Sequence, residues 1–261
     1  NGGGAVIGPR VLRLFGAEVV EVGCEADGFN INDGVGALHP EHLSRVVKET
    51  GACFGICLDG DGDRGIFVDE NGQVYDGDAV LTFFGLRMLA SGKLAGSTVA
   101  ATVMSNLGMH RALRSAGVSV HITPVGDRHV VEAMREHGFT LGGEQSGHTL
   151  FEDHELVGDG LYTGLRLLAE AGEQPMSAAL ATFSRFPQKL VNVVVGCKPD
   201  LATVPVIVQR QKEVEELLGQ NGRLLLRYSG TESLCRVMIE AEDKELCNRL
   251  CDEFAELIES E

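Results

Sequence analysis

CFGICLDGDGDRGIFVDE, residues 53–70, sets an apolar run of strand length before three aspartates at alternate positions (Asp59, Asp61, Asp63), then Arg64 and a second apolar run. Carboxylates packed side by side repel and raise one another's proton affinity, so the cluster calls for a cation among them. Water and salt around an acidic surface turn are one answer, and a bound divalent ion is the other. The intervening glycines let the backbone curl so that all three carboxylates converge. A calcium EF-hand is a further reading, with Asp59, Asp61 and Asp63 at loop positions 1, 3 and 5 and Glu70 at 12. Position 6, which calls for glycine, is Arg64, and the segment before the loop reads as a strand rather than a helix. Mg²⁺, a hard octahedral ion that keeps positions open for phosphate oxygens, suits the spacing better.

Outward from this loop, strand-length apolar runs alternate with amphipathic helical stretches. Residues 5–15 and 40–51 carry helix patterns, and residues 17–23 (AEVVEVG) and 53–58 read as strands, which is βαβ grammar and implies a parallel sheet. The aspartates then fall past the carboxyl end of a strand, where open α/β sheets place their ligands. Residues 2–4 look like a turn out of a preceding strand, so the chain reads as a fragment of a longer protein. After a turn at Asn71-Gly72 the alternation restarts and runs to about residue 187, followed by strands paired with two helices. The fold class expected is therefore α/β: two consecutive α/β domains with mixed or parallel sheets (1–73 and 74–187), then a smaller α+β domain (188–261).

Composition bounds the function. At 261 residues, 44% hydrophobic and 23% charged, with no run of 18 apolar residues, the chain reads as globular, with neither a membrane partner nor a membrane span expected. A formal net charge of −16 argues against a nucleic-acid partner, which clustered Lys and Arg would have to hold. Seven cysteines without a CxxC pair favour reduced thiols and a cytoplasmic location.

Three more stretches carry chemistry. LGGEQSGHTLF (141–151) presents Glu144, Ser146 and His148 around Gly147, an acceptor, a hydroxyl and an imidazole suited to a sugar, and also compatible with a plain polar hairpin. LLRYSGTESLCR (225–236) sets Ser229, Gly230 and Thr231 between Arg227 and Arg236, a composition suited to a phosphate dianion or to an ordinary turn between strands. In PVGDRHV (124–130), Asp127 and Arg128 follow a strand, where a surface ion pair is the plainer reading.

In this order, DGDGDR, GDR, GEQSGH and RYSGTES resemble the α-D-phosphohexomutase superfamily across the whole chain, and the GEQSGH form, VMSNLG (103–108) and GDGLYTGLRLL look most like its bacterial phosphoglucosamine mutase branch. The resemblance implies the last three of four domains. It also implies isomerisation of glucosamine 6-phosphate and glucosamine 1-phosphate, for cell-wall amino-sugar precursors, through a phosphoserine enzyme and a bisphosphate. No TASHNP-like stretch with the phosphorylated serine occurs here, so the chain alone is expected to be inactive. Asp59, Asp61 and Asp63 would hold Mg²⁺. Arg64 would sit beside the transferring phosphoryl group, with His148 as a proton shuttle. Asp127, Arg128, Glu144, Ser146 and His148 would meet the substrate, a hexosamine phosphate, and Arg227, Ser229, Gly230, Thr231 and Arg236 would grip its unreactive phosphate. Tyr228 stands where the family usually has Pro or Thr, and Ser233 where it has Pro. A phosphomannomutase/phosphoglucomutase, or a non-catalytic sugar-phosphate or Ca²⁺-binding module, remains the alternative, and a homodimer stays open.

Overall fold

The computed structural model describes residues 1–230 and 232–260. Its contacts divide the chain into two units, one of residues Asn1–Ser105 and Met109–Ser184, the other of Asn106–Gly108 with the described residues from Arg185 onward.

The first unit opens with helix α1 (Gly4–Leu14) and helix α2 (Pro40–Thr50), which begins on Pro40 and stops at Gly51 in the left-handed region. Proline supplies the fixed φ of a first turn and glycine the φ > 0 of a helix stop. Strand β1 (Phe54–Leu58) turns back through the aspartate loop into β2 (Gly65–Asp69), which pairs with β3 (Val74–Tyr75). Both pairings are antiparallel, so the parallel sheet expected here is replaced by a hairpin and its neighbour. The EF-hand is excluded with it, because the loop joins two strands rather than two helices.

Residues 17–23, expected as a strand, form none. A strand exists only by virtue of a ladder partner, and β1 pairs with β2 alone among the described residues. A cavity of about 250 Å³ is lined by residues from both 19–24 and 54–58.

Helix α3 (Gly77–Ala90) leads into a mixed sheet built from β4 (Thr98–Thr102), β5 (Ser119–Thr123), β6 (Leu141–Gly143) and β7 (Thr149–Phe151), in the order β5-β4-β6-β7. Its two β4 pairings are parallel, and β6–β7 is antiparallel across the GEQSGH loop. Helices α4 (Leu107–Ser115), α5 (Asp127–His137), α6 (Gly160–Ala171) and α7 (Met176–Leu180) complete the run. Phe67, Leu81, Phe84, Leu141, Phe151 and Leu167 are fully buried in one core, each worth roughly 1.5–3 kcal/mol of burial. That core joins elements on both sides of residue 73.

In the second unit, β8 (Gln188–Val194), helix α8 (Pro205–Leu218), β9 (Gly222–Tyr228), β10 (Leu234–Ala241) and helix α9 (Lys244–Ser260) make an antiparallel sheet, order β8-β10-β9, with its own core around Val237, Ile239 and Phe254. This is the smaller α+β unit expected from the sequence. Among the described residues, no helix is long and apolar enough to cross a membrane.

Glu240 of β10 is fully buried and accepts from Asn106 Nδ2 (2.9 Å), Leu107 N (3.1 Å) and Arg223 Nε (2.6 Å). Burial raises its carboxyl above the usual range, against the pull of Arg223 and of the Leu107 N–H. Glu240→Ala strands these donors and is expected to cost about 3–5 kcal/mol, read by urea unfolding followed by circular dichroism, since the chain has no Trp. With the folded value above the unfolded one, this group's stabilisation is complete at acid pH and lost as pH rises through the folded value. Glu240→Gln is expected to flatten that dependence.

Candidate active site

The acidic loop hangs between β1 and β2, with Gly62 in the left-handed region (φ 83°) that permits the tight reversal. Asp59 Oδ1 accepts the N–H groups of Gly62 and Arg64, both at 3.1 Å, an Asx-type turn that fixes the loop from within. The Gly62 carbonyl in turn accepts the N–H of Gly160 (2.9 Å) at the start of α6. The result brings one carboxylate oxygen from each of Asp59, Asp61 and Asp63 within 4.8 Å of the others.

Arg64 Nε stands 3.7 Å from Asp59 Oδ2 and 3.9 Å from Asp63 Oδ1, and His148 Nδ1 stands 3.4 Å from Asp63 Oδ2. Asp63 Oδ1 and Arg64 Nε are both buried without a hydrogen-bond partner among the described residues. Burial pushes the Asp63 carboxyl up, and the shared hydrogen bond with Asp59 adds to it. His148 opposes, while the charges of Asp59 and Asp61 push up again. Three hard oxygen donors converge, one carrying a buried oxygen with no donor, so the residues present fit a divalent cation of the Mg²⁺ kind.

The GEQSGH loop is welded to this one. Gly65 N–H donates to the Gly147 carbonyl (3.1 Å), and Arg64 and His148 form an isolated antiparallel bridge. Gly147 has φ 100°, and a Cβ there would lie 2.5 Å from the Gly65 oxygen, so only glycine closes the junction without displacing the backbone. Gln145 is tied back to α3: its carbonyl accepts from Gly77 N (3.0 Å), and its Nε2 donates to buried Asp78 (2.9 Å). The Glu144 carboxylate, also buried, accepts from Gly126 N (2.9 Å). Held at each side, the loop exposes Ser146 at its tip.

Asp59, Asp61, Asp63, Arg64 and His148 thus form one cluster, with Glu144 and Ser146 on the adjoining loop. Asp127 and Arg128 open α5 just past Gly126, but the Arg128 guanidinium is exposed and bonded to Glu132 (2.8 Å). That is the surface ion pair allowed for by the sequence. Sequence reasoning missed Asp78 and the Gly126 N–H as the loop's anchors. They lie 67 and 18 residues from their partners, and no local spacing signals them.

In the second unit, the turn between β9 and β10 carries the other group of expected residues. Arg227 and Arg236 stand directly opposite in the β9–β10 ladder, and Ser229 N–H donates to the Leu234 carbonyl (2.9 Å). The Ser229 hydroxyl accepts from Glu232 N (3.2 Å), and Arg236 Nη2 meets the Glu232 carboxylate at 3.2 Å. Ser229 and Gly230 sit in the turn as expected, and Thr231 lies outside the described residues.

Residues 1–72, 76–186 and 190–257 match three models of a single family: phosphoglucomutase/phosphomannomutase alpha/beta/alpha domain II, alpha/beta/alpha domain III and C-terminal domain. The chain belongs to the phosphoglucomutase/phosphomannomutase family. It is 48% identical over 261 residues to a phosphoglucosamine mutase of Syntrophotalea carbinolica, matching 99% of this chain and 57% of that protein's length. A phosphoglucomutase/phosphomannomutase family protein from Burkholderia thailandensis aligns with TM-score 0.79 at 25% identity, over 99% of this chain and 58% of that one. An Aspergillus fumigatus N-acetylphosphoglucosamine mutase, solved with GlcNAc-6P and magnesium, shares the fold with TM-score 0.72 at 22% identity, over 96% of this chain and 63% of that one.

For this family member, Gly147→Ala is expected to break the junction between the acidic and GEQSGH loops. A non-glycine residue held at that φ costs about 1–3 kcal/mol. Amide exchange at Gly65 should accelerate at least about tenfold relative to the parent chain, where the Gly65 N–H donates to the Gly147 carbonyl.

Proposed function

We propose that this chain supplies three domains (1–73, 74–187 and 188–261) of a cytoplasmic phosphohexomutase that interconverts glucosamine 6-phosphate and glucosamine 1-phosphate, requiring Mg²⁺. The observation that carries the reading is the convergence of Asp59, Asp61 and Asp63 beside Arg64 and His148. Family membership and the likeness to a phosphoglucosamine mutase at 48% identity support it. Magnesium is supported by the donor set here and by its presence in the Aspergillus relative.

The chemistry follows from what the residues can do. Moving a phosphoryl group between oxygens asks the protein for positioning and charge neutralisation more than for covalent work. Asp59, Asp61 and Asp63 would hold the cation, which when bound offsets the charge of phosphoryl oxygens. Arg64 has a buried Nε with no hydrogen-bond partner among the described residues, a donor available to a phosphate oxygen. His148, whose Nδ1 lies 3.4 Å from Asp63 Oδ2, would hold a proton near the reacting hydroxyl. Ser146, exposed on a tethered loop, would meet a sugar hydroxyl or amine, and Glu144 shapes the same loop. In the second unit, Arg227, Arg236 and the Ser229–Gly230 turn grip the phosphate that does not react. The proposed cycle passes a phosphoryl group from an enzyme phosphoserine to the sugar's free hydroxyl, giving a bisphosphate, and returns the other phosphoryl group to the serine.

The test uses the whole enzyme carrying these domains. Its kcat/KM for glucosamine 6-phosphate should exceed that for mannose 6-phosphate by at least about a hundredfold, and the reverse preference would make it a phosphomannomutase/phosphoglucomutase. Asp63→Asn should reduce kcat by at least about a hundredfold with little change in KM, and should weaken Mg²⁺ binding in calorimetry. Unchanged turnover in that variant would remove the acidic loop from the reaction.

A further inference from the structure

Arg227 and Arg236 face each other across the β9–β10 ladder, an arrangement that costs energy between like charges. Arg236 shares the Glu232 carboxylate, but Arg227 is half-buried and has no carboxylate partner among the described residues. Burial, and then the charge of Arg236, make its guanidinium easier to deprotonate than an ordinary arginine. A third cation reaches the same turn from a distant part of the chain. Lys198, in the segment after β8, donates its ammonium to the Ser229 carbonyl at 2.6 Å, and it too has no carboxylate partner among the described residues. In a chain with 38 acidic and 22 basic residues, two cations without carboxylate partners among the described residues, one bonded to the turn and one two residues before Ser229 in β9, are a costly arrangement unless an anion from outside joins them.

We infer that Lys198 is a third cationic arm of the phosphate-binding turn, contributing a point charge to a dianionic sugar phosphate. This rests on the reading of Arg227, Ser229 and Gly230 as a phosphate grip. An ammonium has three donors, and one hydrogen bond to Ser229 leaves two. The bond to the carbonyl holds the flexible lysine stem at the turn, so little further order is required when the ligand arrives. The two arginines supply planar forks, and the lysine supplies a compact point charge beside them.

The alternative role, a staple between two loops, differs in one respect: it needs the hydrogen bond but not the charge. The experiment is calorimetric titration of the 261-residue chain with glucosamine 6-phosphate, alongside Lys198→Ala, Lys198→Gln, Lys198→Arg and Arg227→Ala, with circular dichroism as a check of fold. The expected result is that Lys198→Ala and Lys198→Gln both weaken binding about tenfold or more. Lys198→Arg should restore most of the loss. Wild-type affinity in Lys198→Gln would overturn the inference in favour of stapling. Wild-type affinity in Lys198→Ala, with binding lost in Arg227→Ala, would overturn it while leaving the phosphate-grip reading in place. Binding unaffected by Arg227→Ala, or absent from the parent chain, would overturn both.

Discussion

Like charges crowded together need a counterion, and that constraint shapes both units of this protein. In the first, three carboxylates are drawn within 4.8 Å of one another, with one buried oxygen that no donor reaches among the described residues. In the second, two guanidiniums stand opposite each other in a sheet, one of them unpaired among the described residues. The two patches carry opposite sign and call for opposite partners, a divalent cation and a dianion. A phosphorylated sugar turned over with Mg²⁺ brings both kinds of charge, which is why a mutase reading accounts for features that folding alone would disfavour.

The backbone bears the cost of keeping these charges in place. In the acidic loop, Asp59 spends one oxygen on its own turn, which leaves its other oxygen and the remaining carboxylates free to converge. The Gly65–Gly147 hydrogen bond and the Arg64–His148 bridge make the acidic and GEQSGH loops neighbours by main chain rather than by flexible side chains. Asp78 and Gly126 then pin the second loop from the far side. Such preorganisation means that donors and acceptors need not move when charge shifts in the proposed reaction.

Much of this was legible in the amino-acid sequence, because local patterns carry local structure. The aspartate spacing, the helix over 40–50 closed by Gly51 and the α+β grammar of the last third all read directly. Long-range pairing did not. Residues 17–23 have the composition of a strand, yet composition supplies no ladder partner, and the segment forms no strand. The parallel sheet expected over residues 1–73 did not form, for a related reason: β1 turns straight back into β2, and alternation of apolar runs does not reveal the direction of the next strand, whereas β4, α4 and β5 do make the parallel βαβ unit expected further on. Arg128, in the GDR motif, pairs with Glu132, four residues along its own helix. Lys198 matched no motif and reached the β9–β10 turn across 31 residues.

The most direct test of the account is the location of a divalent cation. Mn²⁺, a Mg²⁺ surrogate with an anomalous X-ray signal, should give one peak bounded by carboxylate oxygens of Asp59, Asp61 and Asp63, each at about 2.0–2.3 Å. A chain saturated with Mn²⁺ whose peak lies elsewhere, with the three carboxylates turned apart into solvent, would contradict it.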